Sequence, residues 1–445
     1  MNVATNAGLS GLEELLAQDC RLSAQTGGSA SGPLSRQQIE SYQDERLRRL
    51  LAFCRQHSAW HSKNLAGYGD LGLADWFRLP LATADDLRRH GPAMLCLSQD
   101  EVARVISVAT SATTGPAKRL FFSPADMERT VAFFHRGMKG IVPPGGRLAA
   151  LLPGKTPDGT GDLLRRAMMR LPAKIVCFGL VADTCEMARR LADFQPDAIA
   201  GFPVQILAVA RMAEVLQRPL SAVRAVLLCS DYIAAAARTA LSALLHCQIF
   251  SHYGTTESGL GGAVDCRQQA GMHIRENDLF IEIIAPENTQ PLADGSWGEI
   301  VLTTLTREAM PLIRYRTGDL GRLLPGSCPC GSHIKRLDRV LGRIKAVHHL
   351  ANGSSLALRH LDEALLPLPG LLDYRARLTD DAGGYRLDLH LSCLPGTSEA
   401  SARQAMAAAG AVPPCAGLEI KIQTEESGFI QAGKRILNEG RKGQA

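Results

Sequence analysis

The sequence predicts an α/β fold, in which a large, multi-layered N-terminal domain with mostly parallel sheets precedes a small mobile α+β C-terminal domain. Apolar strands alternate with helical stretches through most of the chain, a pattern typical of βαβ units. After about Gly342 the pattern changes to short strands with strict apolar–polar alternation. A chain of 445 residues also exceeds one ordinary hydrophobic core, so two or more domains are expected.

The composition is that of an ordinary globular protein, with 46% hydrophobic and 21% charged residues. The net charge of +5 suits an anionic small molecule, and without a long basic run it argues against nucleic acid as a partner. No apolar run approaches the ~20 residues of a membrane span, and the start lacks a secretory pattern. The twelve cysteines are scattered, mostly in apolar contexts, so a cytoplasmic location is expected.

The chain is predicted to consist of three parts: a loose N-terminal segment over residues 1–36, the large domain over 37–342 and the small domain over 343–445. The loose segment begins with a short helix, and its remainder is rich in Ser, Gly and Ala. Residues 39–57 have a helical period, and a second helix is predicted after Thr83, with Asp86 as its capping partner.

The predicted strands are short and apolar in the large domain, and alternate in the small domain. In the large domain they are residues 102–110, 147–153, 173–179, 223–230, 279–286 and 298–305. In the small domain we predict a strand at 344–350, a hairpin turn at Asn352-Gly353, helices near 358–366 and 398–409, and strands at 385–391 and 418–424.

A loop rich in hydroxyl groups, residues 110–118, follows the first predicted strand and ends in Lys118. Backbone N–H groups and hydroxyls in such a loop can point at phosphate oxygens, and the lysine supplies a mobile cation. Taken alone, this segment is equally typical of a polar surface turn.

Two further polar segments follow predicted strands. Residues 251–257, after the strand at 247–250, combine a tyrosine, a glycine, hydroxyls and Glu257. Tyr253 can lie against a purine ring, and the Glu257 carboxylate is an oxygen ligand of the kind that Mg²⁺ prefers. Residues 315–319, also placed at a strand end, finish with Asp319, which can accept both hydroxyls of a ribose. Ordinary turns and helix caps contain the same residue types.

The fourth and fifth segments are residues 342–345 and the pair Gly433-Lys434. Together and in this order, the five segments resemble the adenylate-forming superfamily, and more narrowly the phenylacetate–CoA ligase family. The resemblance runs from about Leu47 to Lys434. It is carried most specifically by LPLATADDLRRHGP, GMHIRENDLFIEIIAP, GEIVLTTLTREAMPLIRYRTGDL and CPCGSHIKRLDRVLGR.

The resemblance implies activation of a carboxylic acid by ATP and Mg²⁺ through an acyl-adenylate, followed by thioester formation with coenzyme A. An aryl or arylacetic acid is implied as the substrate, and a homodimer is a further expectation. A carrier-protein thiol as the acceptor, or a catalytically idle nucleotide-binding relative, are the alternatives that the sequence leaves open.

Residue roles follow from the same resemblance, position by position. The phosphate loop matches Ser111, Thr113, Thr114, Gly115 and Lys118. The adenine-side turn matches Ser230 and Asp231, and the adenine, phosphate and Mg²⁺ motif matches Tyr253, Gly254, Thr256 and Glu257.

The remaining roles lie towards the C-terminus. Asp319 matches the ribose-binding aspartate, Arg343 the arginine before the hinge, and Lys345 the hinge itself. Lys434 matches the lysine that contacts the acyl phosphate during adenylation. The sequence departs from the family pattern at Ala112, at Pro116-Ala117, at residues 229–231 where Gly-Ala-Glu is usual, and at Arg435, which follows Lys434 directly.

Four residues form a candidate zinc site: Cys266, His273, Cys328 and Cys330. Three thiolates with one imidazole are a known zinc set, and both halves flank the same predicted strands. The spacing is not that of a standard zinc finger and by itself favours reduced, free cysteines. The resemblance favours zinc, because relatives carry cysteines in these segments. His333 is the alternative fourth ligand.

Overall fold

The computed structural model of the chain describes residues 11–22, 33–108, 117–381, 384–412, 418–433 and 435–440. These residues belong to two compact units. Unit 1 comprises Met1–Gly140, Asp162–Leu171 and His252–Val340. Unit 2 comprises Ile141–Gly161, Pro172–Ser251 and Leu341–Ala445.

The helices of the described residues are short to medium in length, with one of six turns near the N-terminus. They are α1 (Gly11–Leu22), α2 (Arg36–His57), α3 (Ala59–Asn64), α4 (Ala84–His90), α5 (Pro124–Met138), α6 (Thr160–Met168), α7 (Thr184–Phe194), α8 (Pro203–Val215), α9 (Ala235–Leu245), α10 (Leu358–Leu365) and α11 (Glu399–Ala408).

The strands come in chain order, and several have only two or three residues. They are β1 (Arg104–Val108), β2 (Lys118–Phe122), β3 (Arg147–Leu151), β4 (Lys174–Cys177), β5 (Ala198–Gly201), β6 (Ala225–Leu228), β7 (Gln248–Tyr253), β8 (Ala263–Asp265), β9 (Met272–Ile274), β10 (Leu279–Ile284), β11 (Gly298–Thr304), β12 (Tyr315–Gly321), β13 (Leu323–Leu324), β14 (Arg336–Leu337), β15 (His348–His349), β16 (Ser355–Leu356), β17 (Leu371–Asp381), β18 (Gly384–Cys393), β19 (Leu418–Glu426) and β20 (Leu437–Gly440).

Local capping explains where the N-terminal helices begin. Ser35 and Gln38 form a reciprocal capping box at the start of α2, and Thr83 and Asp86 do the same at α4. Helix α2 buries its apolar stripe of Leu47, Leu50, Leu51 and Cys54, as its helical period predicts. Both predicted helices are therefore confirmed.

Unit 2 contains the predicted parallel sheet. The strand order is β7-β6-β5-β3-β4, and every neighbouring pair is parallel. Strands β5 and β6 are buried along their whole length, which explains their continuous apolar sequences. The predicted strands at 147–153, 173–179 and 223–230 are confirmed by β3, β4 and β6.

The C-terminal part of unit 2 contains a second sheet, in the order β19-β18-β17-β20. Its apolar face and helix α10 contribute Leu361, Leu365, Leu387 and Leu389 to one core with α7, α8 and α9. Arg211 of α8 is buried and donates hydrogen bonds to two carbonyl oxygens in residues 366–371. Leu341–Ala445 thus belong to a larger compact unit in this structure, and their mobility as a small domain stays a prediction.

The sheets of unit 1 are antiparallel. The last two residues of β7 pair with β8, and the sheet continues through β9 and β14 to β13. A separate three-stranded sheet has the order β10-β11-β12, which confirms the pairing predicted for residues 279–286 and 298–305. In this part of the fold, segments far apart in the sequence become neighbours.

Three sequence predictions need correction in detail. Residues 344–346 form a 3-10 turn and only His348–His349 are a strand, although the hairpin at Asn352-Gly353 is present. The strand predicted at 247–250 continues to Tyr253, since these residues keep pairing with β8. Residues 315–319 lie within β12 instead of after a strand.

None of the described helices combines the length and the apolar run that a membrane crossing demands.

Candidate active site

Two side chains from separate segments of unit 1, Lys118 and Tyr315, meet at the Glu257 carboxylate. Lys118, the first residue of β2, is only 6% exposed, and its Nζ forms an ion pair with Glu257. The Tyr315 hydroxyl donates to Glu257 Oε1 at 2.9 Å and lies 3.5 Å from Lys118 Nζ. Burial acts to raise the pKa of Glu257, but the charge of Lys118 and its hydrogen bond outweigh burial and hold that pKa below its usual range.

The turn that follows β7 presents Glu257 in this position. Backbone hydrogen bonds from Gly259 to Thr256 and from Leu260 to Thr255, at 3.1 and 2.8 Å, close the turn. A Cβ atom at Gly254 would lie 2.4 Å from the Leu260 carbonyl oxygen, so this position admits only glycine. Thr256 is half-buried in the same turn.

Tyr253 and Asp319 form a second buried pair in unit 1. The Tyr253 hydroxyl donates to Asp319 Oδ2 at 2.9 Å, and the two residues are 8% and 7% exposed. Burial, together with the neighbouring Asp319 charge, raises the pKa of Tyr253 well above its usual value. Tyr253 therefore remains a neutral donor that orients the Asp319 carboxylate. Asp319 and Tyr315 lie four residues apart on β12, which places both pairs along one strand.

The adenine-side turn lies in unit 2, immediately after β6. Ser230 adopts a φ of 71°, a left-handed conformation that is uncommon for a residue other than glycine. Asp231 accepts a hydrogen bond from the backbone N–H of Tyr232 at 2.9 Å and a longer one, at 3.5 Å, from the backbone N–H of Arg435. The turn is thus in contact with Arg435, which directly follows the predicted catalytic lysine in the sequence.

Several predicted site residues lie outside the described residues. These are Ser111, Thr113, Thr114 and Gly115 of the phosphate loop, and Lys434. Lys118 and Arg435, which lie close to these residues in the sequence, are among the described residues. Arg343 and Lys345 are both exposed. Arg343 directly precedes the 3-10 turn at Ile344–Ala346, and Lys345 is the middle residue of that turn.

The candidate zinc residues converge in unit 1. Cys266 follows β8, His273 lies on β9, and Cys328 and Cys330 lie in the loop between β13 and β14. Their ligand atoms all lie within 4.8 Å of one another. Cys266 Sγ lies 3.7 Å from Cys328 Sγ, and Cys330 Sγ lies 3.6 Å from His273 Nε2.

His333 is not part of this cluster. Its Nδ1 lies 2.8 Å from the Ser327 hydroxyl, on the exposed side of the loop.

The pKa values of the cluster residues are shifted by one another. Hydrogen bonding from Cys330, against the effect of burial, lowers the pKa of the Cys266 thiol to about 3. Burial acts to lower the pKa of His273, but the neighbouring thiols Cys266 and Cys328 raise it to about 9.

Sequence reasoning missed four residues of these sites. Tyr315 lies in the predicted ribose-binding motif, residues 315–319, but that motif predicts a role only for Asp319. Arg435 was noted only as a departure from the family pattern. Asp362 and Glu363, on α10, carry no local signal, because their partners are distant in the sequence.

Comparisons with curated proteins find four similar chains. The chain is 30% identical over 356 residues to a phenylacetate–coenzyme A ligase of Thermus thermophilus, covering 77% of this chain and 78% of that protein. It is 31% identical over 282 residues to a phenylacetate–coenzyme A ligase of Escherichia coli, covering 61% and 62% of the two chains. No protein-family profile matches the chain.

Solved structures share the fold at lower sequence identity. A 2-hydroxyisobutyryl-CoA ligase in its postadenylation state, in complex with 2-HIB-AMP, superposes with a TM-score of 0.76 at 18% identity and covers 92% of this chain and 93% of that one. An anthranilate CoA ligase in complex with anthranoyl-AMP gives a TM-score of 0.53 at 16% identity, with 76% and 67% covered.

Proposed function

The chain belongs to the phenylacetate–coenzyme A ligase family of adenylate-forming enzymes, and from that premise we propose that it activates a carboxylic acid with ATP and then forms a thioester with coenzyme A. The observation that carries the proposal is the buried arrangement of Lys118, Glu257 and Tyr315 beside the pair of Tyr253 and Asp319. By resemblance to the family, Lys118 serves phosphate, Glu257 Mg²⁺, Tyr253 adenine and Asp319 ribose.

The first half-reaction joins the acid to AMP. A carboxylate oxygen of the acid attacks the α-phosphorus of ATP, a P–O bond breaks, and pyrophosphate leaves. The ionised Glu257 carboxylate suits Mg²⁺, which takes oxygen ligands and supplies charge neutralisation as pyrophosphate departs. Lys118 adds a cation at the same place, and Asp319 accepts the ribose hydroxyls.

The second half-reaction transfers the acyl group. The coenzyme A sulfur attacks the acyl carbon, the bond to AMP breaks, AMP leaves, and the thiol proton passes to solvent. In this proposal Lys434 stabilises the oxygens of the acyl-adenylate while it forms in the first half-reaction. The C-terminal part then turns about Lys345 so that the thiol can enter for the second. Arg343, Ser230, Asp231 and the phosphate loop keep the roles that the family implies.

The acid is proposed to be aryl or arylacetic. Support comes from the phenylacetate in the names of the curated relatives. The 2-hydroxyisobutyryl ligase shows that the same fold also serves a small aliphatic acid. A substrate panel must therefore include aryl, arylacetic and short aliphatic acids.

Acid-dependent exchange of pyrophosphate into ATP tests the proposal. We expect exchange with at least one arylacetic acid, AMP as the nucleotide product, and a thioester when coenzyme A is added. Glu257→Gln should reduce exchange about 100-fold, because a charged contact to Mg²⁺ and phosphate is lost. Glu287→Gln, at an exposed position of the same unit, is the matched control and should retain full exchange. Formation of ADP alone, or no turnover with any acid, would refute the proposal.

We also propose a structural zinc at Cys266, His273, Cys328 and Cys330. Zinc–sulfur bonds of about 2.3 Å in a tetrahedron imply sulfur–sulfur separations of about 3.8 Å. The observed 3.7 Å between Cys266 Sγ and Cys328 Sγ fits this geometry. All four ligands come from the protein, which is typical of a structural site, whereas a catalytic site keeps one position open.

Elemental analysis of protein purified without added metal tests the zinc site. We expect one zinc per chain, because thiolate sites of this kind hold the metal through purification. Cys330→Ser should lower the zinc content, whereas Cys247→Ser, at a similarly half-buried cysteine outside the cluster, should not. Less than about a tenth of an equivalent in the unmodified protein would contradict the site.

A further inference from the structure

Helix α10 carries two adjacent carboxylates, Asp362 and Glu363, that hold two different segments of unit 2. One segment contains Arg435, which directly follows Lys434 in the sequence. The other begins at Tyr232, which directly follows Asp231. Neither carboxylate takes part in the proposed chemistry, so their function calls for a separate explanation.

Asp362 anchors Arg435 in a buried, two-pronged ion pair. Arg435 Nη1 and Nη2 donate to the two Asp362 oxygens at 2.7 and 2.9 Å, and Asp362 is 0% exposed. The Tyr374 hydroxyl donates to the same carboxylate at 2.6 Å, and the Arg435 guanidinium lies 5.1 Å from the Tyr374 ring centre. A bidentate pair fixes orientation as well as distance, so the backbone next to Lys434 is held in one place.

Glu363 supplies the cap that helix α9 lacks. The residue before α9 is Ala234, whose side chain cannot accept a hydrogen bond, so the first N–H groups of the helix need another partner. Glu363 Oε1 accepts from the Ala235 N–H at 2.9 Å, and Oε2 accepts from the Ala236 N–H at 2.9 Å. A carboxylate at a helix N-terminus is also favoured by the helix dipole.

Glu363 also fixes the chain between the adenine-side turn and α9. The Tyr232 hydroxyl donates to Glu363 Oε1 at 2.8 Å. Because Tyr232 follows Asp231, this bond restrains the turn from its C-terminal side. The Asp231 carboxylate in the same turn accepts a hydrogen bond from the Arg435 backbone N–H at 3.5 Å.

We propose that Asp362 and Glu363 are positioning residues for adenylation, which together fix Arg435, the residue after Lys434 in the sequence, relative to the adenine-side turn. Since they are neighbours on one rigid helix, the spacing between the two segments is set by α10. The inference rests on the proposed function, in which the turn binds the adenine and Lys434 contacts the acyl phosphate. It assigns the two carboxylates separable effects, one on nucleotide binding and one on the rate of the chemical step.

Glu363→Gln tests the nucleotide side. The amide keeps one acceptor oxygen for Tyr232 but loses the charge and the second acceptor at α9. We expect the KM for ATP in the exchange reaction to rise about 10-fold, the worth of one hydrogen bond to a charged group, with kcat within about twofold of the unmodified enzyme.

Asp362→Asn tests the lysine side. Here kcat for exchange should fall about 30-fold while the KM for ATP changes little, because the bidentate anchor of Arg435 is lost. An unpaired buried Arg435 can also impair folding, so the double variant Asp362→Leu with Arg435→Met is measured as well. It replaces the ion pair with apolar groups, which commonly preserves folding. A folded double variant with normal kcat would overturn the role of the pair.

Controls separate positioning from general damage. Ser398→Ala removes a helix cap in the C-terminal part of unit 2, and Glu399→Gln removes an exposed ion pair there. Both should leave the KM and kcat of exchange unchanged. Thioester formation from a supplied acyl-adenylate should stay within about twofold in the Asp362 and Glu363 variants. Equal losses in both half-reactions, or no change in either constant, would overturn the inference, whereas absence of exchange in the unmodified protein would refute the proposed function itself.

Discussion

At the scale of single residues, the partners of a buried group can outweigh the effect of burial on its pKa. Glu257 is buried yet ionised, because Lys118 pairs with it and Tyr315 donates to it. Burial, and then the negative charge of Asp319, raise the pKa of Tyr253 well above its usual value. Glu257 and Tyr253 are four residues apart in the sequence, and their neighbours in the structure shift their pKa values in opposite directions.

His61 shows the same effect away from the site and leads to a prediction about pH. It is 0% exposed, its Nε2–H donates to the Pro311 carbonyl oxygen at 3.2 Å, and burial lowers its pKa from 6.5 to about 4. The unfolded chain therefore binds one more proton than the folded protein between these pKa values. His61 contributes full stability above about pH 6.5, and this contribution is lost as the pH falls towards 4.

Urea denaturation of the unmodified protein and of His61→Gln measures this contribution. Between pH 6.5 and 4 the free energy of unfolding of the unmodified protein should fall more steeply than that of the variant, by up to about 1.4 kcal/mol per pH unit. Parallel pH profiles for the two proteins would show that the imidazole is not neutral in the folded state.

At the scale of elements, the strands hold the candidate ligands in place. Strand β9 presents His273 between Cys266, which follows β8, and the loop that leads to β14. Strand β12 presents Tyr315 and Asp319 although a glycine with φ of 75°, Gly318, interrupts its regular backbone. Short strands with few backbone hydrogen bonds need further support, which the proposed zinc supplies to β9 and β14.

Metal removal should therefore destabilise one part of unit 1 selectively. After chelation we expect a lower melting temperature and faster amide exchange in β8, β9 and β14, because the thiolate ligands that join these strands lose their common partner. Strands β10 and β11, which form a separate sheet, should exchange at unchanged rates and act as the internal reference. Uniform acceleration across both sheets would contradict a local role for the metal.

At the scale of the whole molecule, the proposed reaction needs the C-terminal part in two arrangements. Lys345 lies in the exposed turn that follows the change from unit 1 to unit 2 at Val340/Leu341. The backbone hydrogen bonds of this turn are donated by Ala346 and Val347, so proline at position 345 removes neither of them. Proline there fixes φ at position 345 and disfavours the helical conformation of Ile344, so it restricts the rotations open to this turn.

Lys434→Ala and Lys345→Pro should separate the two half-reactions. Lys434→Ala should slow adenylation by about 30- to 1000-fold, because a charged contact made in the transition state is worth roughly 2–4 kcal/mol. It should leave thioester formation from a supplied acyl-adenylate intact. Lys345→Pro should do the reverse, since a fixed φ hinders rotation while adenylation needs none. Pyrophosphate exchange and thioester formation, measured separately, decide this, and equal damage to both steps in both variants would exclude the alternation.

The sequence by itself determined the α/β class, most of the elements and the order of the five motifs, because side-chain period, capping pairs and turn residues act between near neighbours. Its errors at the end of β7 and at residues 315–319 concern boundaries that tertiary pairing sets, whereas residues 344–346, predicted as part of a strand, form a 3-10 turn. Only the tertiary structure decided that Lys118 meets Glu257, 139 residues away, and that Asp362 holds Arg435, 73 residues away. Such partners are brought together by the packing of whole strands and helices, and no local pattern along the chain encodes which of them will meet.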